Sequence, residues 1–174
     1  FIGIDLGTTF SVVAHVDETG RPVIIPDQYS GDTNLTPSVV AWAKGEEHVG
    51  YAAKRTLGEK STFGHFKRDM GYRDEKTKKE KIYTADGKSY TPTTLSAAVL
   101  TRLRKNAEKA LGSLDGAVVT VPANFAEEAR QDTMAAAKLA GLNVKHIINE
   151  PTAAALYYCS QSGLELSGKY AVYD

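Results

Sequence analysis

The chain has 174 residues, which is enough for one domain or for two small lobes. Its 21 Lys and Arg residues balance its 21 Asp and Glu residues, and this zero net charge disfavours a protein that binds nucleic acid by neutralising phosphates. A hydrophobic content of 42%, a single cysteine, and no apolar run near the ~20 residues of a membrane helix favour a globular cytoplasmic protein with no membrane partner.

Short apolar runs separated by turn residues predict that the first third of the chain is a series of strands. Val-rich and Ile-rich segments are typical of strands, and Gly7, Thr8 and Thr9 mark a turn between the first two, which predicts a hairpin. The predicted strands cover residues 2–6, 10–16, 23–25, 39–42 and 47–49.

The middle of the chain is less regular and predicts two helices around a charged segment. A short helix is expected over residues 52–57, and the Lys-rich stretch 76–81 is expected to be a solvated loop. An Asp-Gly pair at residues 86–87, between alternating residues, predicts a second hairpin. From Pro92 onward, apolar residues recur at four-residue steps until Gly112, which predicts a long helix.

The last third of the chain alternates strands and helices. Strands are predicted over residues 117–121, 144–149 and 169–173, with helices over residues 126–140 and from Pro151 onward. This alternation predicts parallel strands joined by crossover helices that pack on the sheet. The chain opens within one strand-like run and closes on another, so we expect it to be a piece of a longer protein.

Asp5 lies in the first predicted strand, just before the small-residue turn. Burying a lone carboxylate is costly, so we expect a cation with its water shell beside Asp5. Gly7 lets a phosphate approach the backbone, where the N–H and hydroxyl groups of Thr8 and Thr9 can donate hydrogen bonds. The alternative is an Asp5 side chain that caps its own turn.

Two further carboxylates follow predicted strands, at the edge where open α/β sheets bind ligands. Glu150 comes at a strand-to-helix junction, and Asp174 ends the last predicted strand. Together with Asp5 they could hold hydrated Mg²⁺ and orient a water molecule. The alternative for Glu150 is the favourable placement of a carboxylate at a helix N-terminus.

Other patterns are weaker and are set aside. The glycine spacing over residues 163–169 matches a Walker A loop, but Tyr170 replaces the magnesium-binding Ser or Thr, and the G-x-G-x-x-G pattern is absent. The four histidines show no ligand spacing with Cys159, which disfavours zinc, and Cys159 is expected to pack in a helix. Composition alone places Lys67 on the surface.

Seven short motifs occur along the chain in the order in which one protein family carries them. They are GIDLGTT at 3–9, TPS at 36–38, GYAAK at 50–54, VTVP at 119–122, RQ at 130–131, AGLN at 140–143 and IINEPTAAAL at 147–156. Together they resemble the N-terminal half of the ATPase domain of Hsp70 (DnaK-type) molecular chaperones. IINEPTAAAL is the most specific motif, whereas GIDLGTT is shared with actin-like and sugar-kinase relatives.

The resemblance implies an α/β fold of the actin-like ATPase (ribonuclease H-like) type, of which this chain looks like lobe I. Residues 1–38 and 112–174 would form a core α/β subdomain, and residues 39–111 a smaller inserted α+β subdomain. The family hydrolyses Mg-ATP and couples this hydrolysis to peptide binding and protein folding by a domain outside this chain. The resemblance also implies a role in the stress response. The fragment alone is expected to be nearly inactive.

The resemblance also assigns roles to individual residues. It identifies Lys67 as the catalytic lysine beside the γ-phosphate, whereas composition alone predicts a surface charge at this residue. The catalytic residues would be Thr8, Lys67, Glu150 and Asp174. The nucleotide would be contacted by Gly7, Thr8, Thr9, Phe10, Lys67 and Glu150, with Phe10 standing where many members have Tyr. Asp5 and Asp174 would hold Mg²⁺ largely through water, and Pro122 and Arg130 would relay the nucleotide state to the peptide-binding domain.

The implied cofactors are ATP or ADP and Mg²⁺, with K⁺ as a further candidate ion. The implied partners are extended client peptides, a J-domain co-chaperone and a nucleotide exchange factor. Two alternatives stay open at this point. A small-molecule kinase could use the GIDLGTT loop, although IINEPTAAAL disfavours it, and an Hsp70-like scaffold could bind nucleotide without turnover, although the carboxylates and Lys67 weakly disfavour that.

Overall fold

The computed structural model describes residues 1–163 and 167–173, and this part of the chain contains eleven strands and four α-helices. The strands are β1 (Ile2–Asp5), β2 (Phe10–Val16), β3 (Pro22–Ile25), β4 (Thr36–Pro37), β5 (Val39–Ala43), β6 (Glu46–Val49), β7 (Thr62–Gly64), β8 (Tyr83–Ala85), β9 (Lys88–Tyr90), β10 (Ala117–Val121) and β11 (Val144–Asn149). The helices are α1 (Tyr51–Lys54), α2 (Pro92–Leu111), α3 (Glu127–Leu139) and α4 (Glu150–Ser162), with a 3₁₀ turn over Phe66–Asp69.

The main sheet is mixed and has the strand order β11-β10-β1-β2-β3, with β4 pairing with β2. β1, β10 and β11 are parallel, which confirms the predicted crossover connections, and β1, β2 and β3 are antiparallel, which confirms the first hairpin. Alternation along β1 buries Ile2 and Ile4 under the helices and turns Gly3 and Asp5 to the opposite face. The register of the parallel strands places the ends of β1, β10 and β11 side by side at one edge of the sheet, next to Asp5.

The long helix α2 joins the main sheet to the rest of the core. Its N-terminus has the predicted proline in the first turn and a capping box between Thr91 and Thr94, and Gly112 follows its last residue. Of the apolar residues at four-residue steps, Leu95, Val99, Leu103 and Ala107 are buried, whereas Leu111 at the end of the helix is exposed. One apolar cluster unites these side chains with those of β1, β10 and α3, and α2 and α3 pack against one another.

A three-stranded sheet (β6-β5-β7) and the β8–β9 hairpin form the second β region. The predicted hairpin is confirmed: Asp86 and Gly87 both have positive φ, at 49° and 72°, as a two-residue turn between strands requires. Trp42 on β5 stacks on Tyr90 of the hairpin with 3.8 Å between ring centroids. This aromatic contact fixes the hairpin on the three-stranded sheet.

Two predicted elements are wrong or shorter than expected. The helix expected over residues 52–57 is a single turn, α1, and the closing strand expected over residues 169–173 is not formed. A strand needs a neighbour to satisfy its backbone groups, and residues 169–173 pair with no strand in the described part of the chain; their side chains are exposed. Asp174 lies outside the described residues. None of the helices in residues 1–163 and 167–173 is long and apolar enough to cross a membrane.

Candidate functional site

An open cavity of about 730 Å³ lies where β1 and β10 end and where α4 begins. This is the edge at which α/β sheets bind ligands. Its lining includes six of the residues singled out from the sequence, namely Asp5, Gly7, Thr8, Lys67, Pro122 and Glu150. Thr9, Phe10 and Arg130 do not line it.

Asp5 is exposed in the cavity, so the prediction that this carboxylate is buried is wrong. The apolar neighbours of Asp5 point to the core, whereas strand alternation turns its own side chain to the other face. Its Oδ1 accepts a hydrogen bond from Thr120 Oγ1 at 2.9 Å, across the register pair of β1 and β10. Because Asp5 is open to water, burial does not demand a cation here.

The turn after β1 is fixed by two serines that the sequence interpretation missed. Gly7 N–H donates to Ser11 Oγ at 3.1 Å, and Ser38 Oγ donates to the carbonyl oxygen of Gly7 at 2.7 Å. The two serine hydroxyls are 2.9 Å apart and both are buried. Ser38 belongs to the TPS motif, which was the available signal, but no role followed from the motif alone.

Gly7 occupies a position that excludes any side chain. A Cβ added to Gly7 would lie 2.0 Å from the carbonyl oxygen of Phe10, far inside van der Waals contact. Within residues 1–163 and 167–173, the N–H groups of Thr8 and Thr9 donate to no protein acceptor. The turn thus presents free donors beside a residue without a side chain, as a phosphate-binding loop does. The Phe10 ring instead lies 4.6 Å from the ammonium of Lys54.

Lys67 is buried rather than on the surface, and it forms an ion pair with Glu150. The Lys67 Nζ atom lies 2.7 Å from Glu150 Oε1, with the two side chains 7% and 29% exposed. Lys67 is held in the 3₁₀ turn, which begins after His65 in the left-handed conformation (φ 57°). Glu150 is the first residue of α4, so its charge also suits the helix N-terminus. The position of Glu150 is therefore compatible with both interpretations of this residue, a carboxylate that binds a ligand at the sheet edge and a carboxylate that stabilises a helix N-terminus.

Arg130 connects the loop after β10 with the residue before Glu150. Its Nε donates to the carbonyl oxygen of Phe125 at 3.2 Å, and its Nη2 donates to Asn149 Oδ1 at 2.7 Å. Pro122 begins the same loop, and its carbonyl oxygen accepts from Phe125 N–H at 3.1 Å. Pro122 thus lines the cavity, whereas Arg130 does not line it and contacts the loop and the strand end beside it.

Asp132 on α3 holds the segment that follows Lys67, a contact that no sequence pattern indicated. Its Oδ2 accepts from Gly71 N–H at 2.8 Å and from Arg73 Nη1 at 2.9 Å, and its Oδ1 accepts from Arg73 Nη2 at 2.6 Å. Burial raises the pKa of the Asp132 carboxyl, but the hydrogen bonds and charge of Arg73 together with Gly71 N–H lower it by more. The net pKa of Asp132 therefore lies below its usual value.

Comparison with known families agrees with the motifs and with the fold. The family model described as "Hsp70 protein" matches residues 1–174, the whole chain. The chain belongs to the Hsp70 family. Its mixed α/β structure with a multi-stranded mixed sheet is that of the actin-like ATPase fold of Hsp70 proteins. Hsp70 proteins are chaperones that bind ATP and hydrolyse it, and the DnaK type is compatible with the match.

The family implies Mg²⁺ with the nucleotide, and the cavity of this Hsp70 chain offers suitable donors. Asp5 and Glu150 place carboxylate oxygens there, the hard donors that Mg²⁺ prefers. Among the described residues, no group of three or more His, Cys, Asp or Glu side chains could hold a metal ion directly. Because Mg²⁺ keeps several waters in such sites, the exposed carboxylate of Asp5 fits a contact through water.

Proposed function

We propose that this chain forms one wall of an Hsp70 nucleotide site at which Mg-ATP is hydrolysed. The observation that carries the proposal is the Lys67–Glu150 ion pair, which lies in the same cavity as the Gly7–Thr8 turn. A buried ammonium, a carboxylate and free backbone donors are the groups that phosphoryl transfer needs for positioning and for charge stabilisation. A sugar-type kinase would need a second substrate pocket beside them.

In this mechanism the turn after β1 binds the phosphates. The N–H groups of Thr8 and Thr9 donate to phosphate oxygens, and Gly7 allows the close approach. Lys67 places its positive charge beside the γ-phosphate, and Glu150 orients the attacking water. Asp5 and Asp174 are the residues that would hold Mg²⁺ through water, and the ion would supply neutralisation of the phosphate charge; K⁺ is a further candidate ion at this site.

Pro122 and Arg130 are proposed to relay the nucleotide state to a peptide-binding domain outside this chain. Arg130 contacts Asn149, which directly precedes Glu150, so a shift of Glu150 on hydrolysis would reach α3 through one hydrogen bond. The proposed partners are client peptides, a J-domain co-chaperone and a nucleotide exchange factor, and the proposed location is the cytoplasm.

The proposed division of the chain is a core subdomain of residues 1–38 and 112–174 with residues 39–111 inserted. The cavity is open, and a second lobe is proposed to close it around the nucleotide. The 174-residue chain alone is therefore expected to turn over ATP negligibly.

The test compares the chain alone with a protein that joins it to the second lobe. ADP and inorganic phosphate are measured together, with and without Mg²⁺, and with candidate sugar acceptors added. We expect equal amounts of ADP and inorganic phosphate from the two-lobed protein only, and only with Mg²⁺. Transfer of phosphate to an acceptor would favour the kinase, nucleotide binding without turnover would favour the scaffold, and robust turnover by the chain alone would contradict the need for a second lobe.

A further inference from the structure

Helix α3 contacts the chain segments on both sides of the Lys67–Glu150 pair. Arg130 on α3 donates to Asn149, the residue before Glu150, at 2.7 Å. Asp132, two residues further along the same helix, accepts hydrogen bonds from the segment that follows Lys67. The first contact belongs to the relay proposed above, whereas the second has no role there.

Asp132 is bound strongly to the segment that follows Lys67. The Arg73 guanidinium reaches both carboxylate oxygens, at 2.9 and 2.6 Å, which is the bidentate arrangement that fixes orientation as well as distance. Gly71 N–H adds a third hydrogen bond at 2.8 Å. The Asp132 side chain is only 6% exposed, so water competes little for these donors.

Close packing at Gly71 reinforces this contact. Gly71 has φ of +81°, and a Cβ added to it would lie 2.9 Å from the Cβ and the backbone nitrogen of Ala129 on α3. Gly71 follows the 3₁₀ turn of Lys67 closely, since Met70 N–H donates to the carbonyl oxygen of Lys67 at 3.2 Å. The turn that carries Lys67 is thus attached to α3 within four residues.

We propose that Asp132 is a positioning residue for Lys67, an inference that rests on the proposed role of Lys67 in hydrolysis. The rigid helix α3 sets the separation between the Lys67 turn and the start of α4, so that the Lys67 ammonium stays against Glu150. The lysine ammonium is carried on a flexible four-carbon stem, so the position of the Lys67 backbone must be fixed for the ammonium to stay against Glu150. A displacement of ~1 Å at the reacting groups is enough to slow an enzyme by about 10²-fold.

The test follows the Lys67 ammonium directly in the 174-residue chain labelled with ¹⁵N-lysine, without nucleotide. The Lys67 signal is assigned by its loss in K67A. In D132N, which keeps the shape of the side chain and removes its charge, we expect exchange of the Lys67 ammonium hydrogens with water to rise about tenfold, the effect of one charge-assisted hydrogen bond on a local equilibrium. The matched control is E108Q, which breaks the partly buried Arg104–Glu108 pair on α2, and it is expected to leave the signal unchanged.

A second variant keeps the inference testable if D132N does not fold, as judged by circular dichroism. R73Q removes the bidentate pair and leaves Asp132 with the Gly71 N–H, so we expect a smaller rise in exchange in the same direction. A Lys67 signal unchanged in D132N, or in R73Q where D132N is unfolded, would overturn the inference. Because no ATP is present, this outcome is independent of whether the two-lobed protein hydrolyses ATP.

Discussion

The Lys67 ammonium donates a hydrogen bond to the Glu150 carboxylate at 2.7 Å, although 83 positions separate the two residues in the chain. Neither residue holds its place alone. The Lys67 turn is attached to α3 through Gly71 and Asp132, and Glu150 begins α4 just after Asn149, which Arg130 of α3 contacts. The pair is therefore a product of tertiary structure, and its chemistry depends on groups that never reach the cavity.

Replacing Lys67 by alanine should remove hydrolysis and spare nucleotide binding. In a protein that joins this chain to the second lobe, we expect K67A to lower the single-turnover rate of ATP hydrolysis by about 10²-fold or more, the effect of losing one preorganised charge. Nucleotide affinity, measured by calorimetry, should change little because the backbone donors after β1 remain. The control is R68A, at an exposed neighbour, and a rate for K67A equal to that of R68A would refute the assigned role.

The turn after β1 should tolerate no side chain at Gly7. The Cβ of G7A would collide with the carbonyl oxygen of Phe10, which is 2.0 Å away, so the turn must move. We expect the free energy of unfolding in urea to fall by more than about 3 kcal/mol. The control is G3A, in the same strand region with nothing within 4 Å of its Cβ, where a change within about 0.5 kcal/mol is expected. Equal losses in G7A and G3A would contradict the collision.

Gly71 and Gly45 separate the cost of backbone conformation from the cost of packing. Both glycines have positive φ, at +81° and +80°, but only Gly71 lies against a neighbour, Ala129, at 2.9 Å. Alanine at Gly45 should cost about 1–2 kcal/mol of stability through its left-handed backbone alone. Alanine at Gly71 should cost that amount and a further ~1–3 kcal/mol for overpacking against α3. If urea unfolding gives the two variants the same loss, Gly71 is a conformational requirement only.

Acid should remove the contribution of Asp132 to stability. The pKa of Asp132 is lower in the folded chain than its unfolded value of ~3.9, so its contribution is full above that value and is lost as the pH falls through the folded pKa. We expect D132N to be less stable than the wild type by about 1.5–3 kcal/mol at pH 7, the range for hydrogen bonds to a charged group.

The measurement is urea unfolding of the wild type and of D132N over a pH series. The difference in unfolding free energy between them should be largest at neutral pH and should shrink in acid. The control is D115N, at an exposed carboxylate, where the substitution is expected to change the free energy of unfolding by no more than about 0.5 kcal/mol. A difference between the wild type and D132N that stays constant from neutral pH to strong acid would contradict the assignment.

The fold was predictable where its pattern is local. The four-residue steps of α2, its terminal Pro92 and Gly112, and the Asp-Gly turn of the hairpin each act within a few residues of chain. Position at the carboxyl end of a strand was likewise enough to bring Asp5 and Glu150 into one cavity. The helix and turn signals are read directly from the sequence because the forces behind them are short in range, whereas Asp5 and Glu150 meet because their strands lie in one parallel array.

Other features depend on partners that are far away in the chain. Ser38 contacts Gly7, which is 31 positions away in the chain, and Asp132 contacts Gly71, which is 61 positions away. No local sequence pattern could therefore indicate these contacts. Composition alone predicts Lys67 on the surface, and among the sequence signals only the resemblance to Hsp70 predicts a place beside the nucleotide. The closing strand failed for the same reason: residues 169–173 have strand composition, but a strand exists only where another strand accepts its hydrogen bonds.

The stacking of Trp42 on Tyr90 has an optical consequence, because Trp42 is the only tryptophan in the chain. Tryptophan fluorescence therefore reports on the contact between the three-stranded sheet and the β8–β9 hairpin, whereas far-ultraviolet circular dichroism is dominated by α2, α3 and α4. Comparing the two signals during unfolding measures whether the second β region melts together with the helices. Coincident transitions would identify the chain as one cooperative unit, and an earlier fluorescence transition would identify the aromatic contact as the weaker part.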